Sequence, residues 1–201
     1  MKRIMSLILI VLAVVLAGCG IGQGVPPTKD IEQGFLSQTD FDKVQVINGF
    51  QVDISVGEEH NVVFNVAEDI LTYVEALRRG DELIVRVKSQ SLLHQDFSDI
   101  PLEADVIMPA LIGLKLNHGS SVTVTGSGDD VTISLEAGSQ ADLTNFAVEN
   151  ADITVSGGSQ VDLNVTGRLD AVVEGGSQVT YSGDPDLGDI DVSGDSTFKK
   201  K

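Results

Sequence analysis

The strongest constraint on this chain is a pattern that returns throughout its C-terminal half. It reads Leu114-Lys-Leu-Asn-His-Gly-Ser-Ser-Val-Thr-Val124, then Ile133-Ser-Leu-Glu-Ala-Gly-Ser-Gln-Ala-Asp-Leu143, then Ile153-Thr-Val-Ser-Gly-Gly-Ser-Gln-Val-Asp-Leu163, then Ala171-Val-Val-Glu-Gly-Gly-Ser-Gln-Val-Thr-Tyr181. A shortened copy, Ile190-Asp-Val-Ser-Gly-Asp-Ser-Thr-Phe198, closes the series. The copies begin at 114, 133, 153, 171 and 190, so they step by 19, 20, 18 and 19 residues. Repeats of this length are one supersecondary unit each, too small to bury a face alone, and gain a core only by stacking on their neighbours.

Within a copy the apolar residues alternate. In the third they fall at 153, 155, 161, 163 and 165, with Thr154, Ser156, Asp162 and Asn164 between them. Period two marks strands with one face inward. The Gly157-Gly158 pair separates the two strands, and glycine turns sharply at little steric cost. Each copy therefore reads strand, corner, strand. That makes one coil of a parallel β-helix solenoid of about 19-residue coils, with rungs roughly 4.8 Å apart. Superposed, the copies line up Ser120, Ser139, Ser159, Ser177 and Ser196 in one column and Ser121, Gln140, Gln160, Gln178 and Thr197 in the next. Parity places the Ser column at or inside the corner, where hydroxyls satisfy one another and the turn backbone. It places the Gln column outside, where amides can ladder.

The other end of the chain carries an address. Lys2 and Arg3 precede an apolar run, Ile4 to Ala17, too short to span a bilayer, followed by Leu16-Ala17-Gly18-Cys19. These four residues resemble a bacterial lipobox, which implies cleavage after Gly18 and a diacylglycerol on Cys19, the only cysteine. Residues 1–18 are thus expected to be a lipoprotein signal peptide. Gly20 after the cysteine predicts no inner-membrane retention in a Gram-negative cell, so the expected location is the envelope, at the outer membrane or cell surface. Without a possible intramolecular disulfide, the fold must rest on its core and its ladders. Residues 19–38, with Gly-rich stretches and Pro26-Pro27, read as a flexible tether. Removal of residues 1–18 leaves 11 Lys and Arg against 30 Asp and Glu, a net of −19. Such a surface repels phosphate backbones, so nucleic acid is not expected as a partner.

Between tether and repeats, Val44 and Val46, then Phe50 to Val56, alternate across an Asn48-Gly49 turn signal. Val62, Phe64 and Val66 continue the alternation, as do Leu83, Val85 and Val87 and the run from Leu102 to Met108. Glu68 to Leu77 has helical spacing at Ile70, Leu71, Val74 and Leu77 but strand-forming residues at 72–74. Residues 89–101, with His94 and Asp96, read as a polar loop, and Lys199-Lys-Lys201 as a solvated tail. No linker divides the halves. Residues 39–201 are therefore expected to be a single all-β domain whose N-terminal strands form the first coils or a cap, with repeat coils from about 114 to 198.

Phe41-x-x-Val44-x-Val46-x-x-Gly49-Phe50-x-Val52-x-Ile54, then Gly80-Asp81-Glu82-Leu83-Ile84-Val85, then Met108-Pro109-Ala110-Leu111 followed by Gly-Ser copies, occur in an order that resembles the putative auto-transporter adhesin family with a head GIN domain. The resemblance covers about residues 39–198. It implies a right-handed parallel β-helix and, from the family's label, adhesion at the cell surface; it brings no catalytic residues. Asn117-His118-Gly119 and Glu136-Ala137-Gly138 depart from the Ser-Gly-Ser or Ser-Gly-Ala corners of many members.

Chemistry is sparse. His60, His94 and His118 stand apart from one another and from Cys19, so no zinc signature exists. No nucleophile elbow, phosphate loop or dinucleotide fingerprint occurs, and no cofactor is implied. Asp142 and Asp162 fall in one outward column on adjacent copies, and Asp152, Asp170 and Asp189 in another. Stacked carboxylates raise each other's pKa unless a cation bridges them, which makes Asp142 and Asp162 the weak calcium candidates. Gly157 to Val165 nevertheless misses the calcium-binding nonapeptide pattern at its second turn glycine and its apolar eighth position. A polysaccharide lyase would want a base near these carboxylates, and Arg168 is the only Arg in the repeats, while the chain has no Trp and 4% aromatics. The leading expectation is a lipid-anchored, non-enzymatic adhesin-like or envelope-structural protein, held to the membrane through Cys19, with a glycan or surface protein as ligand. The alternatives are a β-helix polysaccharide-active enzyme using Asp142, Asp162 or Asp170, a glycan-binding protein, and a periplasmic scaffold for an envelope protein. Oligomeric state is not encoded in any recognisable pattern.

Overall fold

The computed structural model describes residues 31–36, 39–89, 97 and 99–201. The expected signal peptide of residues 1–18, Cys19, and His94 and Asp96 of the polar loop lie outside the described residues. The fold is all-β. Its first strands are β1 (Ile31–Leu36), β2 (Lys43–Ile47), β3 (Gln51–Val56) and β4 (Asn61–Ala67). A single turn of helix, α1 (Glu68–Leu71), precedes β5 (Val74–Arg79), β6 (Glu82–Val87) and β7 (Glu103–Met108). The repeats supply β8 (Gly113–Asn117), β9 (Ser121–Leu135), β10 (Gln140–Val155) and β11 (Gln160–Val165). They continue as β12 (Arg168–Val173), β13 (Gln178–Ser182), β14 (Asp186–Val192) and β15 (Thr197–Lys200).

The copies lie beside one another in register. Leu114 pairs with Ile133, Ile133 with Ile153, Ile153 with Ala171, and Ala171 with Ile190, all in parallel ladders. Every copy start is therefore the neighbour of the next. A second parallel ladder carries the other half of each copy, Ser121 to Gln140 to Gln160 to Gln178 to Thr197. The inward side chains of both ladders, from Val44 to Tyr181, form one hydrophobic cluster. Alternation of buried and exposed residues is clear in β7, β8 and β11.

The corners explain the glycines. Each places two successive residues at positive φ: Ala137 (53°) and Gly138 (76°), Gly157 (66°) and Gly158 (77°), Gly175 (67°) and Gly176 (76°). Such pairs favour glycine, and Ala137 occupies its position at a steric cost. Behind the corners, Ser120, Ser139, Ser159 and Ser177 are buried. Ser139 N–H donates to Ser159 Oγ at 3.2 Å, Ser159 N–H to Ser177 Oγ at 3.3 Å, and Ser177 N–H to Ser196 Oγ at 3.1 Å. The hydroxyls of Ser139 and Ser177 donate to the carbonyls of Glu136 and Glu174 at 2.7 Å. The column thus sits inside the corner and satisfies both the next rung and its own turn.

Two open readings are settled, those of Asn48-Gly49 and Glu68 to Leu77, and two expectations, the tether and the tail, are corrected. Asn48-Gly49 does not close a hairpin: both residues are at positive φ, and β2 and β3 pair in parallel with β8 and β9 rather than with each other. The segment is a corner like those of the repeats, laid over the first copy across 70 residues of sequence, with Phe50 where later copies have Ser. Residues 68–79 resolve into α1 followed by β5, which forms an antiparallel hairpin with β6. Within the stretch read as tether, Ile31–Leu36 is a strand antiparallel to β4, which pairs in turn with β7. Lys199 and Lys200 are not a free tail but belong to β15, paired with β13, and Lys200 Nζ reaches Asp184 Oδ1 at 2.6 Å. Among the described residues no helix is long and apolar enough to cross a membrane.

Removal of one hydroxyl from the buried column should be felt. Ser159→Ala strips Ser139 N–H of its acceptor, and chemical denaturation should show a loss of about 1–3 kcal/mol, the cost of an unsatisfied buried donor. An unchanged denaturation midpoint would show that the ladder of hydroxyls is dispensable.

Candidate functional site

Parallel stacking turns each outward position into a column across strands. The ladder from β7 through β3, β9, β10, β11 and β13 to β15 presents Asp105, Asp53, Thr123, Asp142, Asp162, Thr180 and Lys199 side by side. Next to it run Gln51, Ser121, Gln140, Gln160 and Gln178. The two columns border an open groove of about 330 Å³ that reaches from Gln51 to Asp162. Apolar residues of the same strands point into the core, so the groove floor is backbone and small side chains while its rims are amides, hydroxyls and carboxylates.

The pair singled out by sequence, Asp142 and Asp162, is brought together on adjacent rungs. Local donors then occupy it. Asp142 Oδ1 accepts from the Thr144 hydroxyl at 2.6 Å and the Thr144 N–H at 2.9 Å. Asp162 Oδ2 accepts from Gln160 Nε2 at 3.2 Å. The Thr144 hydroxyl and N–H hold the Asp142 carboxyl below its ordinary value, so the expected upward push from a stacked neighbour is overturned there by hydrogen bonding to the charged form. Gln160 bonds within its own strand, and among the described residues no hydrogen bond joins one outward Gln amide to another, so the expected amide ladder is not formed there. The amides stand at an exposed rim where water competes for every donor.

As a calcium site the pair is thin. Calcium takes six to eight oxygens, and among the described residues no group of three or more His, Cys, Asp or Glu could hold a metal ion.

The second ladder has a groove of its own, about 440 Å³, between Lys43 and Asp170. Asn150 links its rungs: Nδ2 donates to Asp130 Oδ1 at 2.8 Å and Oδ1 accepts from Arg168 N–H at 2.9 Å. Asp152 and Asp170 are neighbours as expected, but a bulge between Leu169 and Ala171 moves Asp189 out of line. Its N–H instead donates to Asp170 Oδ1 at 2.7 Å. Arg168 grips Asp170 with both Nε and a terminal nitrogen at 2.6 Å, and that ion pair lies across Gly188, where any Cβ would overlap it. Arg168 lowers the Asp170 carboxyl and the Asp189 N–H adds to the effect. Sequence reasoning noted Arg168 only as a scarce base; its position two residues from Asp170 on one strand face was the available signal, while Asn150 offered none. His118 is at a corner with φ 56°, and His60 Nε2 is 2.8 Å from the Phe41 carbonyl with its ring against Phe41.

A family model described as putative auto-transporter adhesin, head GIN domain, matches residues 40–126 and 107–185. Among solved structures, a putative adhesin from Parabacteroides distasonis superposes with a TM-score of 0.63 at 18% identity, covering 83% of this chain and 75% of that one. A putative adhesin from Bacteroides fragilis gives a TM-score of 0.54 at 14% identity, covering 89% of this chain and 100% of that one. At these identities the likeness is one of fold. No curated protein matches the chain.

Two outcomes follow from the local donors. Replacing Arg168 by Gln should raise the Asp170 pKa toward its ordinary value, read by NMR titration of the side-chain carboxyl. Because the folded value is depressed, the associated stability is present above the ordinary carboxylate range and lost as pH falls through the lowered value; the variant should lose less than the parent on acidification. Millimolar calcium should shift the melting temperature by less than about 1 °C, since a ligand stabilises only when present well above its dissociation constant. A larger shift would restore Asp142 and Asp162 as a metal site.

Proposed function

The chain belongs to the putative auto-transporter adhesin family with a head GIN domain, and on that premise we propose that it is a lipid-anchored, non-enzymatic, adhesin-like or structural module of the cell envelope. The observation that carries this reading is the in-register stacking of the copies, which sets polar side chains in straight columns on an extended, rigid face. Such a face can engage a repeating glycan or a surface protein through many weak, regularly spaced hydrogen bonds.

The parallel registers with steps near 19 residues, and the single core they share, support a parallel β-helix running through residues 39–201, and the family resemblance supports its right hand. The signal peptide of residues 1–18 is removed and Cys19 carries the lipid. The tether then joins the rod through β1, which places the β1–β4 end nearer the membrane and the last copy away from it.

The carboxylates favour binding over turnover. A general acid for glycoside cleavage needs a raised pKa, whereas the carboxyls of Asp142 and Asp170 are both lowered by neighbouring donors. This does not support the alternative of a polysaccharide-active enzyme.

The test uses cells producing the full chain. Metabolic labelling with a fatty-acid analogue should mark the parent and not Cys19→Ala, which should leave the membrane fraction. Protease added to whole cells should digest the parent. Incubation with acidic and neutral polysaccharides should release no unsaturated or reducing ends. Retained label on Cys19→Ala would refute the anchor, protection from protease would favour the periplasmic scaffold, and product release would make the protein an enzyme.

A further inference from the structure

The last rung of the described chain has two edges of opposite charge. β14 pairs only with β12 and β15 only with β13, so the outer edge of each presents unpaired backbone groups. The column of serine hydroxyls also stops there, at Ser196. On β14 the positions Leu187, Ile190 and Val192 continue the inward rows of Leu169, Ala171 and Val173, which are fully buried. Among the described residues no strand pairs with the outer edge of β14, and Leu187 is 49% exposed and Val192 41%. On β15, Phe198 continues the inward row of Val179 and stacks on Tyr181 with ring centroids 5.0 Å apart. Between the inward residues, β14 carries Asp189 and Asp191, with Asp186 at its start, whereas β15 carries Lys199, followed beyond the strand by Lys201; Lys200 continues the inward row of Tyr181.

The opposite end of the sheet is built differently. There β1 lies antiparallel on β4, and β5 antiparallel on β6, so its edges do not repeat the parallel rung. A further copy docking end to tail would meet a surface unlike its own last rung. Two last rungs facing each other meet a matching surface, related by a two-fold axis across the end of the rod. That axis reverses the chain sense of the second copy, so the facing strands are antiparallel. Two arrangements satisfy it. One sets β14 on β14 and β15 on β15, opposing aspartates to aspartates and lysines to lysines, which is destabilising for directly opposed cross-strand pairs. The other sets the β15 strand of each copy on the β14 strand of its mate, opposing lysines to aspartates twice over and covering Leu187, Ile190 and Val192 with Phe198.

We infer that the last rung is a self-complementary interface, at which two copies of this chain join tail to tail by pairing β14 with β15 reciprocally. The lysines, which would keep a bare edge from pairing with itself or with a neutral strand, here select the aspartate edge. Lys200 remains with Asp184 at the rim of the joint.

The test uses the full chain in non-ionic detergent. Unlabelled and isotope-labelled copies are mixed, treated with a carbodiimide that joins amines to carboxylates without a spacer, and read by mass spectrometry alongside sedimentation. The parent should be a dimer, with mixed-isotope links from Lys199 or Lys201 to Asp189 or Asp191. Asp189→Lys with Asp191→Lys should weaken association by at least about tenfold, and adding Lys199→Glu with Lys201→Glu should restore most of it, since charge complementarity sets the pairing. A misfolded double variant would not be rescued in this way. A monomeric parent, links confined to single copies, links placing β15 against β15, or association equal in all three proteins, as a lipid-driven aggregate would give, would each overturn the inference.

Discussion

Hydrogen bonding between equivalent turns of chain is the interaction on which everything else depends. A strand of five or six residues cannot bury enough apolar surface to hold itself. Here each gains from having the same residue types on both sides, so that valine packs on valine and a corner N–H meets a serine hydroxyl. The pairing is demanding, because a slip of one residue would turn the inward row outward. The corners lock it: two residues at positive φ in each turn, with a buried hydroxyl behind them, leave little freedom in where the next strand begins.

The same regularity creates a difficulty on the outside. Stacking puts identical charges on neighbouring rungs, and a net of −17 for the whole chain leaves few cations to separate them. The structure meets this with donors from the same strand or the next: Thr144 for Asp142, Gln160 for Asp162, Arg168 and the Asp189 N–H for Asp170, Asn150 for Asp130. At Asp142 and Asp170 these donors hold the carboxyl below its ordinary value by bonding to its charged form. At the bulge near Asp189 and Gly188, the ion pair of Arg168 with Asp170 lies across the glycine.

The ends of the sheet show how irregular elements serve a regular one. At one end β1, β4 and the β5–β6 hairpin abandon parallel pairing, and at the other the last rung keeps it but carries opposite charges on its two strands. A stack with bare parallel edges is a template for further strands, and the antiparallel strands interrupt the parallel rung at the first end.

The sequence by itself determined the repeat, its steps, the inward rows and the serine column, because those are fixed by chemistry recurring at constant spacing. It determined the neighbours of Asp142 and Asp152 for the same reason. Only the tertiary structure decided which far-apart segments share a rung. Asn48-Gly49 carries the residues of a hairpin turn, and its role as a corner depends on β2 and β3 finding β8 and β9 across an insertion. Nor could spacing reveal that Asp142 is lowered rather than raised, since that rests on the direction in which the Thr144 hydroxyl points. Periodicity encodes which residues stack; the orientation of individual donors, and the partners of a segment that occurs once, are settled by packing in three dimensions.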